Sequence, residues 1–156
     1  MKIAVLDNLR SVYNVGSIFR TANACGIEKI ILCGTTPTPL DKKGLRRSDF
    51  AKVSLGAEDT VMWEYQEDTV AALKQLKRDG SYIIAFEQDN TAVDYKEVSI
   101  EGKENIAFVI GPEVTGMTQE VLNVCDVIAE IPMLGTKESL NVTIAFGIGV
   151  YYILGL

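Results

Sequence analysis

Two short apolar runs, residues 82–86 and 106–110, constrain the fold of this chain more than any other feature. Neither run alternates polar with apolar side chains, as a strand with one exposed face would do. Continuous apolar runs of this length are typical of parallel strands that helices cover on both sides. The sequence therefore predicts an α/β fold with a mostly parallel sheet and helices on both faces.

The order of the other segments agrees with this fold class. Apolar runs at residues 2–6 and 29–33 flank a helical pattern that ends at Gly26, which predicts a right-handed βαβ unit. Residues 34–50 predict a long loop, alone or with a short helix. Further predicted strands are 52–55, 61–63 and 127–131; further predicted helices are 68–78, 118–124 and 140–156; candidate helix N-caps are Asn14, Thr118, Ser139 and Asn141. The chain of 156 residues is predicted to form a single domain over residues 1–156.

Missing residue types and motifs exclude several classes of site. The chain contains no His, which excludes His-based triads and His-liganded zinc, and no metal site is predicted. A Walker loop is absent from the sequence, which argues against nucleotide hydrolysis. No Gly-x-Gly-x-x-Gly sequence follows the first predicted strand, which disfavours a dinucleotide-dependent oxidoreductase.

Cysteine usage and apolar segments bear on location. Cys25, Cys33 and Cys125 are odd in number and far apart, which argues against a disulfide framework and predicts a reducing, cytoplasmic compartment. The N-terminal apolar run is too short for a signal peptide, and the apolar segment 140–156 is too short for a membrane span. Because that segment is apolar nearly all round, we expect a helix buried on several sides that partly contacts another subunit.

The net charge and the local charge distribution give opposite indications about nucleic-acid binding. The formal net charge of −6 argues against it. A basic island between Asp41 and Lys52 nevertheless concentrates positive charge that can bind phosphates locally. Its cations are Lys42, Lys43, Arg46, Arg47 and Lys52. A solvated loop explains the same charges equally well.

Three polar or glycine-rich segments follow predicted strands, at the end of the strand where open parallel sheets bind ligands. These segments are residues 8–22, 111–116 and 132–141. Singly, each has a plain structural explanation: Asn14, Ser139 and Asn141 as helix caps, Arg20 as a surface charge, and Gly111-Pro112 as a turn.

Together the segments resemble the three motifs of the SpoU (TrmH-type) family of SPOUT RNA methyltransferases. The first resembles the pattern N-x-R…N-x-G-x-x-x-R-T-A, the second G-x-E-x-x-G, and the third I-P-M-x-G…S-L-N-V-[ST]-x-A. The matching residues are Asn8, Arg10, Asn14, Gly16, Arg20, Thr21 and Ala22 in the first; Gly111, Glu113 and Gly116 in the second; and Ile131, Pro132, Met133, Gly135, Ser139, Leu140, Asn141, Val142, Thr143 and Ala145 in the third. The resemblance spans essentially the whole chain.

The resemblance implies a SPOUT-type α/β knot, in which the C-terminal part of the chain forms a deep trefoil knot, and it implies a homodimer. It also implies an RNA methyltransferase that moves a methyl group from S-adenosylmethionine to a ribose 2′-hydroxyl of tRNA or rRNA and leaves S-adenosylhomocysteine. Arg20 would be the catalytic residue. The remaining catalytic candidates are Asn14, Glu113, Ser139 and Asn141. An ion pair between Glu113 and Arg20 is a hypothesis.

Further candidate residues would bind the cofactor or the RNA. The resemblance implies cofactor contacts, mostly through backbone groups, at Phe86, Gly111, Glu113, Ile131, Met133 and Leu140. Candidate RNA contacts are Arg10, Lys42, Lys43, Arg46 and Arg47. No separate RNA-binding domain is visible, so RNA would be bound by the catalytic domain, by the second subunit or with an accessory RNA-binding protein. The alternative is a non-catalytic RNA-binding or cofactor-sensing homologue, which the complete set of motif residues disfavours.

Overall fold

Seven strands, all parallel, form the centre of the molecule in a computed structural model that describes residues 1–156. The strands are β1 (Lys2–Asp7), β2 (Lys29–Cys33), β3 (Met62–Gln66), β4 (Tyr82–Phe86), β5 (Val93–Asp94), β6 (Ile106–Ile110) and β7 (Val127–Glu130). The helices are α1 (Val12–Ala24), α2 (Ser48–Ser54), α3 (Thr69–Arg78), α4 (Gln119–Val124) and α5 (Val142–Leu154), with 3-10 turns at Ala57–Asp59 and Tyr95–Glu97. The sheet order is β3-β2-β1-β6-β4-β7-β5.

Strand β6 shows why the central runs are apolar throughout. Ile106, Phe108 and Ile110 face one apolar cluster, whereas Ala107 and Val109 face a second cluster on the other side of the sheet. Helices α1, α2 and α5 pack on the first side, and α3 and α4 pack on the second. Both faces of the strand are buried, so neither needs polar side chains. The predicted α/β fold with helices on both faces is confirmed.

The predicted strand at residues 52–55 is wrong. Residues Lys52 to Ser54 belong to α2, which buries Phe50 and Ser54 one helical turn apart. The alternation of polar and apolar residues from Lys52 to Leu55 imitates a strand, but Leu55 ends the helix in the left-handed conformation (φ 52°). The neighbouring predicted strand 61–63 is present, although it begins at Met62 and extends to Gln66.

The cap predicted at Asn14 is also wrong. Helix α1 begins at Val12, and the Ser11 side chain accepts the N–H of Asn14 at 3.2 Å. Thr118 caps α4 as predicted, and Asn141 rather than Ser139 caps α5. The Asn14 side chain, which is not used for capping, is therefore available for contacts elsewhere.

Helix α5 is buried on one side only within a single chain. Phe146 and Val150 lie in the core, whereas Ile144, Ile148 and Tyr152, spaced four residues apart, are exposed. The expected burial on several sides is thus not met by this chain alone. None of the helices combines the length and apolar character that a membrane span requires. The trefoil knot stays a prediction.

Candidate active site

A cleft of about 630 Å³ lies at the carboxyl ends of β4, β6 and β7 and is closed on another side by the start of α5. Its volume falls within the range of small-molecule sites. All six candidate cofactor residues line it: Phe86, Gly111, Glu113, Ile131, Met133 and Leu140. So do four of the five catalytic candidates: Asn14, Glu113, Ser139 and Asn141.

A short chain of hydrogen bonds connects the three sequence segments in this cleft. The Nδ2 of Asn14 donates to Oε1 of Glu113 at 3.0 Å. The Nδ2 of Asn141 in turn approaches Oδ1 of Asn14 at 3.5 Å. Asn14 is buried, and its two partners fix the orientation of its amide. Residues more than a hundred positions apart therefore share one polar network.

Glu113 is held as an ionised acceptor. The backbone N–H groups of Arg10 and Ser11 each lie 3.4 Å from its carboxylate, in addition to the Asn14 amide. Burial by itself would raise the pKa of Glu113, but hydrogen bonds from Asn14 and from backbone N–H groups hold it below the ordinary value. The carboxylate is therefore charged at neutral pH.

Replacing Asn14 with alanine is expected to raise the pKa of Glu113 toward or above its ordinary value of 4.5, because the strongest donor is lost while the burial stays. Carbon-detected NMR titration of the Glu113 carboxyl measures this shift. Ser139→Ala is the matched control, since Ser139 lines the same cleft without bonding to Glu113. An unchanged pKa in Asn14→Ala would contradict the network described above.

Arg20 lies apart from this network. Its side chain is exposed on α1, does not line the cleft and makes no ion pair, so the hypothesised pair with Glu113 is not formed. The physical reason is helical geometry: Arg20 follows Asn14 by six residues, and at about 3.6 residues per turn the two leave the helix on different sides. One chain therefore presents the other candidate catalytic residues together but without Arg20.

The basic island divides into two parts. Arg46 pairs with Glu58 at 2.7 Å and Asp59 at 3.0 Å, and Arg47 pairs with Asp49 at 2.9 Å. The exposed Lys42, Lys43 and Lys52 make no ion pair. Glu58 and Asp59 follow the island in the chain and neutralise Arg46, so the island has less free positive charge than its own sequence suggests.

Arg10 is exposed and lines a second cleft, of about 730 Å³, that shares Glu113 with the first.

The residues of the first cleft fit an adenosyl group. Phe86, Ile131 and Leu140 supply apolar walls, and Asn14, Glu87 and Ser139 supply polar groups. A Cβ atom at Gly111 would lie 2.4 Å from Cγ of Met117. Glycine at this position therefore leaves room for the Met117 side chain.

Sequence reasoning missed two polar residues of the cleft, Glu87 and Gln88. The carboxylate of Glu87 accepts the N–H of Met117 at 3.0 Å, and Nε2 of Gln88 donates to the backbone carbonyl of Glu138 at 2.8 Å. Both residues directly follow β4. The rule that ligands bind beyond the carboxyl ends of parallel strands pointed to this segment as well.

Comparison with known proteins agrees with the sequence motifs. The family model described as the SpoU rRNA Methylase family matches residues 1–151. A Staphylococcus aureus protein assigned to the TrmH family of tRNA/rRNA methyltransferases is 32% identical over 151 residues, which cover 97% of this chain and 57% of that protein. The 23S rRNA (guanosine-2′-O-)-methyltransferase RlmB of Neisseria meningitidis is 30% identical over 145 residues, which cover 93% of this chain and 54% of RlmB.

A solved structure shows the same architecture. The AdoMet-bound rRNA methyltransferase of Sinorhizobium meliloti superposes with a TM-score of 0.87 at 26% identity, over 97% of this chain and 55% of the other. The chain thus spans little more than half the length of these relatives. With a family model matched over nearly all of its length, the chain belongs to the SpoU rRNA methylase family.

Proposed function

We propose that this chain transfers a methyl group from S-adenosylmethionine to a ribose 2′-hydroxyl of tRNA or rRNA. The observation that carries the proposal is the hydrogen-bonded series Asn141–Asn14–Glu113, which unites the three motifs in one cleft. The names of two relatives support it, since RlmB is a guanosine-2′-O-methyltransferase and the Sinorhizobium meliloti enzyme binds AdoMet.

S-adenosylmethionine, when bound, supplies a methyl group on a sulfonium centre. The residues that would hold it are Phe86, Gly111, Ile131, Met133 and Leu140, which line the cleft. The apolar side chains of Phe86, Ile131, Met133 and Leu140 would contact the adenosyl part and shield it from water. Glu113, fixed by Asn14, orients the acceptor ribose, and Ser139 and Asn141 complete the polar side of the cleft.

Arg20 is proposed to act on the acceptor rather than as a base. A guanidinium group stays protonated in proteins, so it does not remove the proton of the 2′-hydroxyl. It binds the phosphate next to the reacting ribose and stabilises the oxyanion as it develops. The phosphate or a water molecule takes the proton.

A homodimer would complete the site. Arg20 does not line the cleft of its own chain, while α5 exposes an apolar face of Ile144, Ile148 and Tyr152. Apolar faces of this kind mark interaction surfaces. Helix α1, which carries Arg20, packs directly against α5. We therefore propose that a second copy covers the α5 face and that the Arg20 of one chain serves the cleft of the other.

Lys42 and Lys43 are proposed to bind RNA phosphates, because both are exposed, are adjacent in the chain and make no ion pair. Replacing both with glutamine is expected to lower the slope of log Kd against log salt by about 1.5, the contribution of roughly two phosphate contacts. Filter binding across a salt series measures it. Arg47→Gln is the control and should change the slope less, since Arg47 already pairs with Asp49. A slope that stays the same in the double variant would remove this surface from the RNA site.

The proposed activity is tested with radiolabelled S-adenosylmethionine and separate pools of unmodified tRNA and rRNA, followed by nuclease mapping. Incorporation as a 2′-O-methyl nucleotide supports the proposal and identifies the RNA class. No incorporation, with donor binding still visible by calorimetry, favours the non-catalytic alternative or a required accessory RNA-binding protein.

A further inference from the structure

We propose that Glu87 is a binding residue for the methyl donor, and that its carboxylate receives the two hydroxyl groups of the donor's ribose. This inference rests on the proposed function and adds a residue to the donor site. Glu87 directly follows Phe86, the last residue of β4, and both residues line the cleft. Glu87 therefore lies within the proposed donor cleft.

The Glu87 carboxylate is fixed before any ligand binds. Its Oε2 accepts the N–H of Met117 at 3.0 Å, and its Oε1 accepts the N–H of Gln88 at 2.9 Å. A carboxylate offers about four acceptor positions, so each oxygen keeps one for a further donor. Two adjacent acceptors in a locked orientation match the two adjacent hydroxyls of a ribose, and a preorganised site loses little entropy on binding.

The other carboxylates of the cleft are less suited to this role. Glu113 already accepts hydrogen bonds from Asn14 and from the backbone of Arg10 and Ser11. The side chain of Glu138 is exposed and has no hydrogen-bond partner that would fix it. Glu87 is therefore the carboxylate in this cleft that combines a fixed orientation with a free acceptor position on each oxygen, since Oε1 of Glu113 already accepts two hydrogen bonds.

The apolar walls indicate which part of the donor lies beside Glu87. Phe86, Ile131 and Leu140 suit an adenine ring, and the ribose is attached directly to that ring. Glu87 follows Phe86 at the end of β4 and lines the same cleft, so we place the ribose beside its carboxylate. The charged amino group of the methionine part is at the other end of the ligand.

The last glycine of the second motif is explained by the same contact. A Cβ atom at Gly116 would lie 3.0 Å from Oε2 of Glu87, and Gly116 has a φ of +70°. A side chain there would press on the carboxylate and would also strain the backbone. Gly116 therefore preserves the orientation of Glu87.

The test is calorimetric binding of three ligands to the full chain: S-adenosylhomocysteine, 5′-methylthioadenosine and the 2′-deoxy form of 5′-methylthioadenosine. Wild type should bind the deoxy form about 10- to 100-fold more weakly than 5′-methylthioadenosine, as expected for the loss of a charge-assisted hydrogen bond. Glu87→Gln should weaken 5′-methylthioadenosine by a similar factor and should discriminate less between the two forms. The control Glu120→Gln, at an exposed residue of α4 that does not line the cleft, should bind all three ligands as wild type does.

Two results overturn the inference while leaving the proposed function intact. If Glu87→Gln weakens S-adenosylhomocysteine but not 5′-methylthioadenosine, the carboxylate binds the amino group of the methionine part. If Glu87→Gln weakens the hydroxylated and deoxy ligands equally, Glu87 acts only by holding the Met117 loop. A wild-type chain that binds none of the three ligands would overturn the proposed function together with the inference.

Discussion

Arg20→Ala is expected to lower the rate of methyl transfer by about 100- to 1,000-fold, the usual effect of removing one donor that stabilises a developing oxyanion. Binding of S-adenosylhomocysteine should stay as in wild type, because Arg20 does not line the donor cleft. Single-turnover rates at saturating donor, together with calorimetry, measure the two effects separately. Arg78→Ala is the control, since Arg78 is exposed on α3, on the other face of the sheet. Wild-type turnover in Arg20→Ala would remove the assigned role.

The same variant tests whether Arg20 acts across a dimer. Arg20→Ala and Glu113→Ala chains are each expected to be nearly inactive alone. When the two are mixed and exchange subunits, a dimer with one chain of each kind contains one complete site if Arg20 serves the partner's cleft. Activity should then return in the mixture. If Arg20 serves its own cleft, neither site is complete and the mixture stays inactive.

Gly149→Ala is expected to destabilise the fold by about 1–3 kcal/mol, the usual cost of overpacking a core. An added Cβ would lie 2.2 Å from Cε1 and 2.5 Å from Cζ of Phe86. That ring is itself stacked on Phe108, with 5.9 Å between the ring centroids, and it has little room to move. Because Phe86 also lines the donor cleft, binding of S-adenosylhomocysteine should weaken as well.

Gly147→Ala is the matched control on the same helix. Its added Cβ would meet only Cγ2 of Thr21, at an ordinary distance of 3.8 Å. Alanine should therefore raise stability by up to about 1 kcal/mol through its better helix propensity. Urea denaturation compares the two variants under one condition. Equal stabilities would contradict the close packing of α5 on the Phe86 ring.

Where burial alone determines the structure, the sequence predicted it well. The strands at residues 82–86 and 106–110 occur with the predicted bounds, since both faces of each are covered and no other environment suits such runs. Residues 52–55 failed because a short helix with one buried turn produces the same alternation as a strand. A short segment contains too few residues for the helical period to be distinguished from the two-residue period of a strand.

The motifs predicted which residues form the site but not which side chains contact each other. The three motifs identified Asn14 as a site residue, but the spacing did not show that its side chain bonds to Glu113 and Asn141. Similarly, Arg46 was expected to be free for RNA, whereas it pairs with Glu58. Both contacts depend on which neighbour comes near in three dimensions, and a single sequence does not specify that.

The position of β6 between β1 and β4 has a consequence for biosynthesis. Lys2 pairs with Ile106, so strand β1 leaves the ribosome well before β6, the strand that pairs with its inner edge. Until then, β1 and β4 each present an unpaired edge, and exposed edges recruit other chains. Contacts so distant in sequence also slow folding. A nascent chain that stops before residue 106 should therefore aggregate, and protection by a chaperone would matter most during that interval.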